Sequence, residues 1–552
     1  MNTMVANIND LVKKKCQVNM CQSKSHSFSV SDVEKAICRL KCGKHDGDIG
    51  HTSDHLKHGG HKLHSHISLL LNCMLSHGFV PSGLLISTLI PIPKNKKKSI
   101  NSSDNYRAIA LSSIIGKVLD NIILTNYSYA LCSSDMQCGF KPKHSTVQCM
   151  FVLKEVVNYY QTNGSSVYVS LLDASKAFDR VNYIKLFEVL LSKGLCPLIA
   201  RLLAYMYTNQ SIRVKWNAYT SNHESVTNGV KQGGVLSPVL FAVYIDVLLG
   251  QLSKLGIGCH IGHKFTGAIA YADDIALLAP SLSALKYMIN ICQQFSERFD
   301  VLFNQSKSKL IVFGENVHEL PRDLMPLERT SCDLHLGNLV GPSTDNDVMT
   351  TAISAFYRSV NMIISHFSHV CTQVKYKLFN SFCMSLYGSQ LWNYSSGNID
   401  RFYTAWRKSI RRLLCLPYRT HNCLINSICE DIPVDLKLHS RFLNFFDSIL
   451  SSKNLLTRLC GVLALRGSNS SVSRSLMFLC GKYCVDKTSN SISLANIKSI
   501  FNPNILPDIL QRISGAIIDL LYIRDNMSTN FTYEEITALL EYFCTKPPID
   551  VF

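Results

Sequence analysis

Acidic residues are scarce in this sequence. Asp and Glu number 39 against 56 Lys and Arg over 552 residues, leaving a formal charge of +17 and a pI near 9.0. Such a balance suits a polyanionic partner, nucleic acid ahead of an anionic membrane surface, and says nothing about fold. Charged residues of either sign make up 17% of the chain and hydrophobic ones 47%. That excludes a solvated tail and gives apolar mass for two to four domains of about 100 to 200 residues.

Other absences narrow the class further. The opening "MNTMVANINDLVKKKC" has no apolar signal-peptide core. The longest uncharged stretch, His64 to Pro93, contains histidines, Asn72, Pro81 and Gly83, which suits a helix, a loop and a strand better than a membrane span. These features predict an intracellular chain, nuclear or cytoplasmic, with no membrane partner. The 21 cysteines are odd in number and lie in hydrophobic segments, so they read as reduced core residues. The histidines of "HDGDIGHTSDHLKHGGHKLHSH" lack paired zinc-ligand spacing. Residues 1–66 therefore read as a basic, His-rich linker leading into the helix "ISLLLNCMLSHG". No internal repeat or heptad run is present.

What is present begins at Leu84. "LLISTLIPIPK" is a β-favouring run ended by prolines and the basic loop "KNKKK". In "YRAIALSSIIGKVLDNIIL" the spacing turns helical from Ser113, with Ile114, Ile115, Val118, Leu119 and Ile122 on one stripe. "SVYVSLLD" is continuously apolar up to Asp173 and predicts a central strand. A helix is expected near "ASKAFDRVNYIKLFEVLLSKG", ending at Gly194. "GVKQGGVLSPVLFAVYIDVLLGQL" repeats the pattern of a glycine turn followed by a helix. Beyond Gly341 the pattern is predominantly helical.

"AIAYADDIALLA" sets Asp273 and Asp274 inside an apolar run. Neighbouring side chains of a strand point to opposite faces, so the two acids can cooperate only near a turn. "GAIAYA" and "IALLAP" predict a hairpin with the acids at its tip. That tip lacks the Gly or Asn such turns favour, which suggests that the acids are kept for function. Adjacent carboxylates in a semi-apolar setting need a compensating cation, and all-oxygen ligands suit Mg²⁺ or Mn²⁺. Asp173, at the end of its own strand, is the candidate third acid for a two-metal site.

The blocks "PIPK", "YRAIALSS", "QCGFKPKHST", "LLDASKAFDRV", "GVKQGGVLSP", "YADD", "FNQSKSK" and "HLG" follow one another in an order that resembles the reverse transcriptases of non-LTR (LINE-type) retrotransposons. The resemblance implies an α+β right-hand polymerase. Fingers and palm, with an antiparallel palm sheet, would lie in a reverse transcriptase domain over residues 75–341. A helical thumb and C-terminal region would occupy 342–552. It implies an RNA-directed DNA polymerase that extends a DNA primer with dNTPs on an RNA template, using two Mg²⁺ or Mn²⁺ ions.

Residue by residue, Asp173, Asp273 and Asp274 match the family's catalytic, metal-binding aspartates, and Asp273 is expected to touch the metals more directly than Asp274. Phe178 matches the aromatic that closes the nucleotide pocket against a ribose 2′-hydroxyl. Gln232 and Gly233 match the platform beneath the incoming nucleotide and its template base. Arg107 matches the fingers arginine that grips the triphosphate, although Ala108 stands where the family usually has proline. Lys307 matches a lysine near the leaving pyrophosphate, a candidate general acid.

Two basic segments are candidate nucleic-acid contacts. Lys94, Lys96, Lys97 and Lys98 form the "KNKKK" loop. In "WRKSIRRLLCLPYRTHN", Trp406, Ile410, Leu413 and Leu414 form an apolar stripe, with Arg407, Lys408, Arg411 and Arg412 on the other side. "CGKYC" at 480–484 reads as core cysteine. Residues 1–66 are too short for the N-terminal endonuclease common in such elements, so the chain is expected to be the polymerase part of a larger one. Two alternatives stay open, a catalytically inactive nucleic-acid-binding remnant and a group II intron maturase.

Overall fold

The computed structural model describes residue 10 and residues 26–47, 50–95, 99–304, 307–314, 327–342, 345–429 and 431–483. Contacts divide the chain into two compact units. One is Met1–Thr344 with Ser448–Arg474, and the other is Asp345–Asp447 with Ser475–Phe552.

Seven strands organise the first unit: β1 (Ile86–Pro93), β2 (Tyr106–Ser112), β3 (Val167–Ser175), β4 (Ser211–Trp216), β5 (Ala268–Tyr271), β6 (Asp274–Ala279) and β7 (Lys309–Phe313). Its principal helices are α1 (Val30–Cys38), α2 (Gly60–His77), α3 (Ile114–Asn126), α4 (Thr146–Thr162), α5 (Tyr183–Ser192), α6 (Pro197–Thr208), α7 (Ser237–Lys254) and α8 (Leu282–Phe299).

In one sheet β1 pairs antiparallel with β2 and parallel with β4. Pro91 and Pro93 lie beyond the four residues through which β1 meets β4, so their missing N–H groups interrupt no ladder on that side. The second sheet runs β7, β3, β6, β5, and these four strands are antiparallel. β3 is central, as its apolar run predicts, and continues two residues past Asp173. The right-hand polymerase expectation fits these elements, with the first sheet as fingers and the second as palm.

Local chemistry explains the helix starts. Ser113 caps α3 and Asn182 caps α5, Ser145 and Gln148 form a capping box on α4, and α6 and α7 begin with proline in the first turn. The expected helix after Asp173 is in fact a short 3-10 turn, Ala177–Arg180, followed by α5. Lys176 at φ +48° sets the turn off from β3, and Val181 and the capping Asn182, with ψ near +120°, separate it from α5.

The expected linker over 1–66 needs correction where it is described. α1 opens with a capping box between Ser29 and Asp32 and buries Val33, Ala36 and Ile37. These residues join the main core together with Leu56, Ile67 and Leu71. Asn72 binds both the N–H and the carbonyl of Phe28. The apolar spacing of "VSDVEKAIC" was present, but the flanking charge and histidine obscured it.

A second difference concerns Ser448–Arg474, which belongs to the first unit rather than to a separate C-terminal region. There a further helix, Leu455–Leu465, covers α4. α4 is buried almost all round from Val147 to Val157, and a helix of that kind needs a cover on each side. Asn454 donates to the Asp135 carbonyl at 2.7 Å, and Ser468 Oγ donates to the buried Glu155.

The second unit is helical, as expected. It contains α9 (Asp345–His366), α10 (Thr372–Phe382) and α11 (Ile399–Leu413), and Phe356 of α9 sits against Phe379 and Phe402. The described cysteines are free thiols, many of them buried. Among the described residues no helix is long and apolar enough to cross a membrane.

Candidate active site

The palm strands bring the three aspartates to one place. β6 pairs with β3 so that Asp274 lies directly opposite Asp173, and residues opposed in this way point to the same face. β6 also pairs with β5, Asp274 opposite Tyr271, so the hairpin closes through Ala272 and Asp273 alone. The predicted tip is therefore observed, with Asp273 on the turn and Asp274 at the first position of the returning strand.

Repulsion and burial govern the cluster. Burial, then Asp273, then Asp173 push the Asp274 carboxyl up to about 6, partly offset by Lys307. Asp273 is also raised, first by burial and then by Asp173, while its own backbone, Arg107 and Lys307 act the other way. Both shifts have the sign expected of carboxylates short of positive charge. Lys307 Nζ lies 3.2 Å from Asp173 Oδ2. The three carboxylates offer oxygen donors of the kind Mg²⁺ or Mn²⁺ takes, although as they stand, with Lys307 on Asp173, no group of three acids, histidines or cysteines among the described residues is gathered closely enough to hold an ion.

The turn itself is strained. Ala272 has φ +59°, a region that side chains with a Cβ rarely adopt and that costs about 1–3 kcal/mol. The chain holds it from a distance. Gln137, fully buried, accepts from the Ala272 N–H through Oε1 at 2.9 Å and donates from Nε2 to the Ala272 carbonyl at 3.2 Å. Gln137 lies in the "QCGF" block, which sequence reading used for its order alone and to which it gave no role.

A second group of loops shapes the space beside the acids. The Phe178 ring stacks on Phe241 with centroids 4.8 Å apart and meets Phe140 edge-on at 5.9 Å. Its carbonyl accepts from the Val230 N–H at 2.7 Å, and Gln232 Nε2 donates to Asp179 at 3.2 Å. The Gln232 carbonyl accepts from the Ala110 N–H of β2 at 2.6 Å. Gly233 has φ +107°, and a Cβ there would lie 3.0 Å from the Ala110 carbonyl. Glycine is required both by conformation and by the approach of β2. These contacts tie β2, which carries Arg107, to the Phe178 and Gln232 loops. Arg107 is exposed and its charge reaches Asp273.

The basic candidates fare differently. Lys94 Nζ donates to the Asp104 carbonyl at 3.0 Å. Lys96, Lys97 and Lys98 lie outside the described residues, as does Cys484 of "CGKYC". On α11, Ile399, Phe402, Trp406, Ile410 and Leu413 are buried, and Leu414 follows as the cap. Arg411 is engaged within its own unit, donating to the Thr420 carbonyl at 2.8 Å and to Asn422 at 2.7 Å. Arg412 reaches Asn361 and Arg407 reaches Thr404. Lys408 is exposed.

A four-stranded antiparallel core with acids opposed on its central strands, flanked by a glycine-bearing loop and an arginine-bearing strand, defines a polymerase palm. Residues 92–347 match the family described as reverse transcriptase (RNA-dependent DNA polymerase). Residues 92–347 are thus a reverse transcriptase domain, and it is similar to the LINE-type enzymes of non-LTR retrotransposons.

Among its relatives is the Pol polyprotein from the type-2 retrotransposable element R2DM of Drosophila melanogaster, 25% identical over 43% of this chain and 22% of that protein. The RNA-directed DNA polymerase from the mobile element jockey of Drosophila funebris is 25% identical over 53% of this chain and 32% of that protein. The chain thus spans a third or less of the length of either. Among solved structures, apo telomerase from Candida tropicalis aligns with a TM-score of 0.33 at 12% identity, over 48% of this chain and 60% of that one.

Proposed function

We propose that this chain is an RNA-directed DNA polymerase that extends a DNA 3′-hydroxyl with dNTPs on an RNA template. The observation that carries the reading is the register placing Asp274 opposite Asp173, with Asp273 on the adjoining turn, inside a reverse transcriptase domain. Asp173, Asp273 and Asp274 would hold two Mg²⁺ or Mn²⁺ ions. When bound, such ions lower the pKa of an attacking hydroxyl and neutralise charge on the transferring phosphoryl group.

The remaining roles belong to the chain's own side chains. Arg107 offers a planar guanidinium for bidentate contact with the triphosphate. Gln232 and Gly233 form the floor on which nucleotide and template base rest. Phe178, held between Phe140 and Phe241, sets a ring where a ribose 2′-oxygen would need room. Lys307 exchanges its Asp173 partner for the leaving pyrophosphate, to which it can give a proton. Lys408, exposed on α11, is available to the phosphate backbone without reading sequence.

The test is extension of a labelled DNA primer on poly(rA) with dTTP and Mg²⁺ or Mn²⁺. The reading expects a product ladder that a chelator abolishes. RNA binding with no extension in either metal would overturn it in favour of a binding remnant.

A further inference from the structure

The "QCGF" block does more than precede the palm. Gln137 makes a parallel bridge to Ala270 of β5, with the Cys138 N–H donating to the Ala270 carbonyl at 2.7 Å and the Ala270 N–H to the Met136 carbonyl at 2.8 Å. The segment therefore runs alongside β5, joined to it by an isolated bridge and two backbone hydrogen bonds. Its side chain then reaches past the end of β5 and closes on both polar groups of Ala272.

The Gln137 amide is tightly specified. Its Oε1 also accepts from the Gly139 N–H at 2.8 Å, so the carbonyl end is held by two donors and the NH₂ end must face the Ala272 carbonyl. A Cβ on Gly139 would lie 2.4 Å from the Ala272 nitrogen. Glycine at 139 thus lets the segment come close enough for the amide to reach. One residue on, Phe140 has φ +60° and turns its ring onto Phe178. The same four residues touch both the acid turn and the aromatic beside the nucleotide space.

We propose that Gln137 is a positioning residue for the acid cluster. It substitutes side-chain hydrogen bonds for the glycine that the turn lacks, holds Ala272 at positive φ, and thereby fixes the direction in which Asp273 and Asp274 leave the turn relative to Asp173. The sequence "YADD" carries alanine where a hairpin corner favours glycine, and the clamp makes that residue tolerable. Glycine at 272 would hold the same conformation without help and free the turn from Gln137. The inference rests on the polymerase reading for its consequence, since the direction of the acids matters through the divalent cations they would bind.

The experiment is a double-mutant cycle on the full chain with Gln137→Met, Ala272→Gly and the pair. It is read by thermal stabilisation on Mn²⁺ titration without nucleotide, and by dTTP extension on poly(rA). Gln137→Met should raise the Mn²⁺ midpoint about tenfold and lower kcat by a similar factor, with KM for dTTP changed less than threefold. Ala272→Gly alone should leave the midpoint within threefold of wild type, and added to Gln137→Met it should recover most of the loss. If Gln137→Met does not fold, Ala272→Val, which leaves the amide intact but crowds the positive-φ corner, should show the same Mn²⁺ defect.

A folded Gln137→Met protein with wild-type midpoint and kcat overturns the clamp while the polymerase reading stands. So does a defect that Ala272→Gly fails to relieve, or an Ala272→Val protein that binds Mn²⁺ normally. A wild-type chain that neither responds to Mn²⁺ nor extends the primer overturns both.

Discussion

Asp274 shows what holding the acids together costs the metal-free chain. Its carboxyl titrates near 6 in the folded protein and near 4 when unfolded, so the folded state prefers the proton. The stability this contributes is fully present below the unfolded value and is lost as pH rises through about 6. In EDTA, Asp274→Asn should therefore match wild type near pH 4 and be more stable by about 1–2 kcal/mol at pH 7.5, after allowance for solvent screening. Urea melts at the two pH values check this, and a difference independent of pH would contradict it. Phe178 offers a second test. Phe178→Val should raise UTP incorporation relative to dTTP, read as the ratio of the two kcat/KM values, by about tenfold or more if the ring sets sugar choice. The acids and Phe178 were legible because each falls in a short block of fixed spacing. Gln137 was not, because its work is done on a residue 135 positions away, and a lone Gln carries no periodicity or charge signal.

Elements follow from sequence where one physical rule acts alone. β3 read as central because its apolar run is unbroken, and the β5–β6 hairpin because alternation and length left no other place for two acids. The rule failed after Asp173, where Val181 and Asn182, with ψ near +120°, split the expected helix into a 3-10 turn and α5. It also failed for α1, whose apolar stripe is short and surrounded by charge. On α11 the amphipathic pattern was right, but it could not tell which cations stay free. Arg411 spends its guanidinium on Thr420 and Asn422, whereas Lys408 is exposed. Arg411→Ala should lower the stability of the second unit by about 1–2 kcal/mol, since charged hydrogen bonds are lost. Lys408→Ala should leave stability unchanged and reduce the salt slope of RNA binding by up to about one unit. Equal effects of the two substitutions on both measurements would contradict that division of roles.

For the whole molecule, the basic excess and the order of the blocks indicated a nucleic-acid polymerase, and the reverse transcriptase match over residues 92–347 agrees. Domain boundaries were less legible. Ser448–Arg474 belongs with the first unit because α4 is apolar on almost every side and takes its cover from a helix some 300 residues later in the chain. Single-sequence periodicity reports that a helix is buried and is silent on what buries it.

The most direct measurement compares wild type with Asp273→Asn in extension of a DNA primer on poly(rA) with dTTP and Mg²⁺ or Mn²⁺, at equal RNA binding. The account predicts extension by wild type and a loss of at least about a thousandfold for Asp273→Asn, about 4 kcal/mol of transition-state stabilisation. Equal incorporation by the two proteins would contradict it.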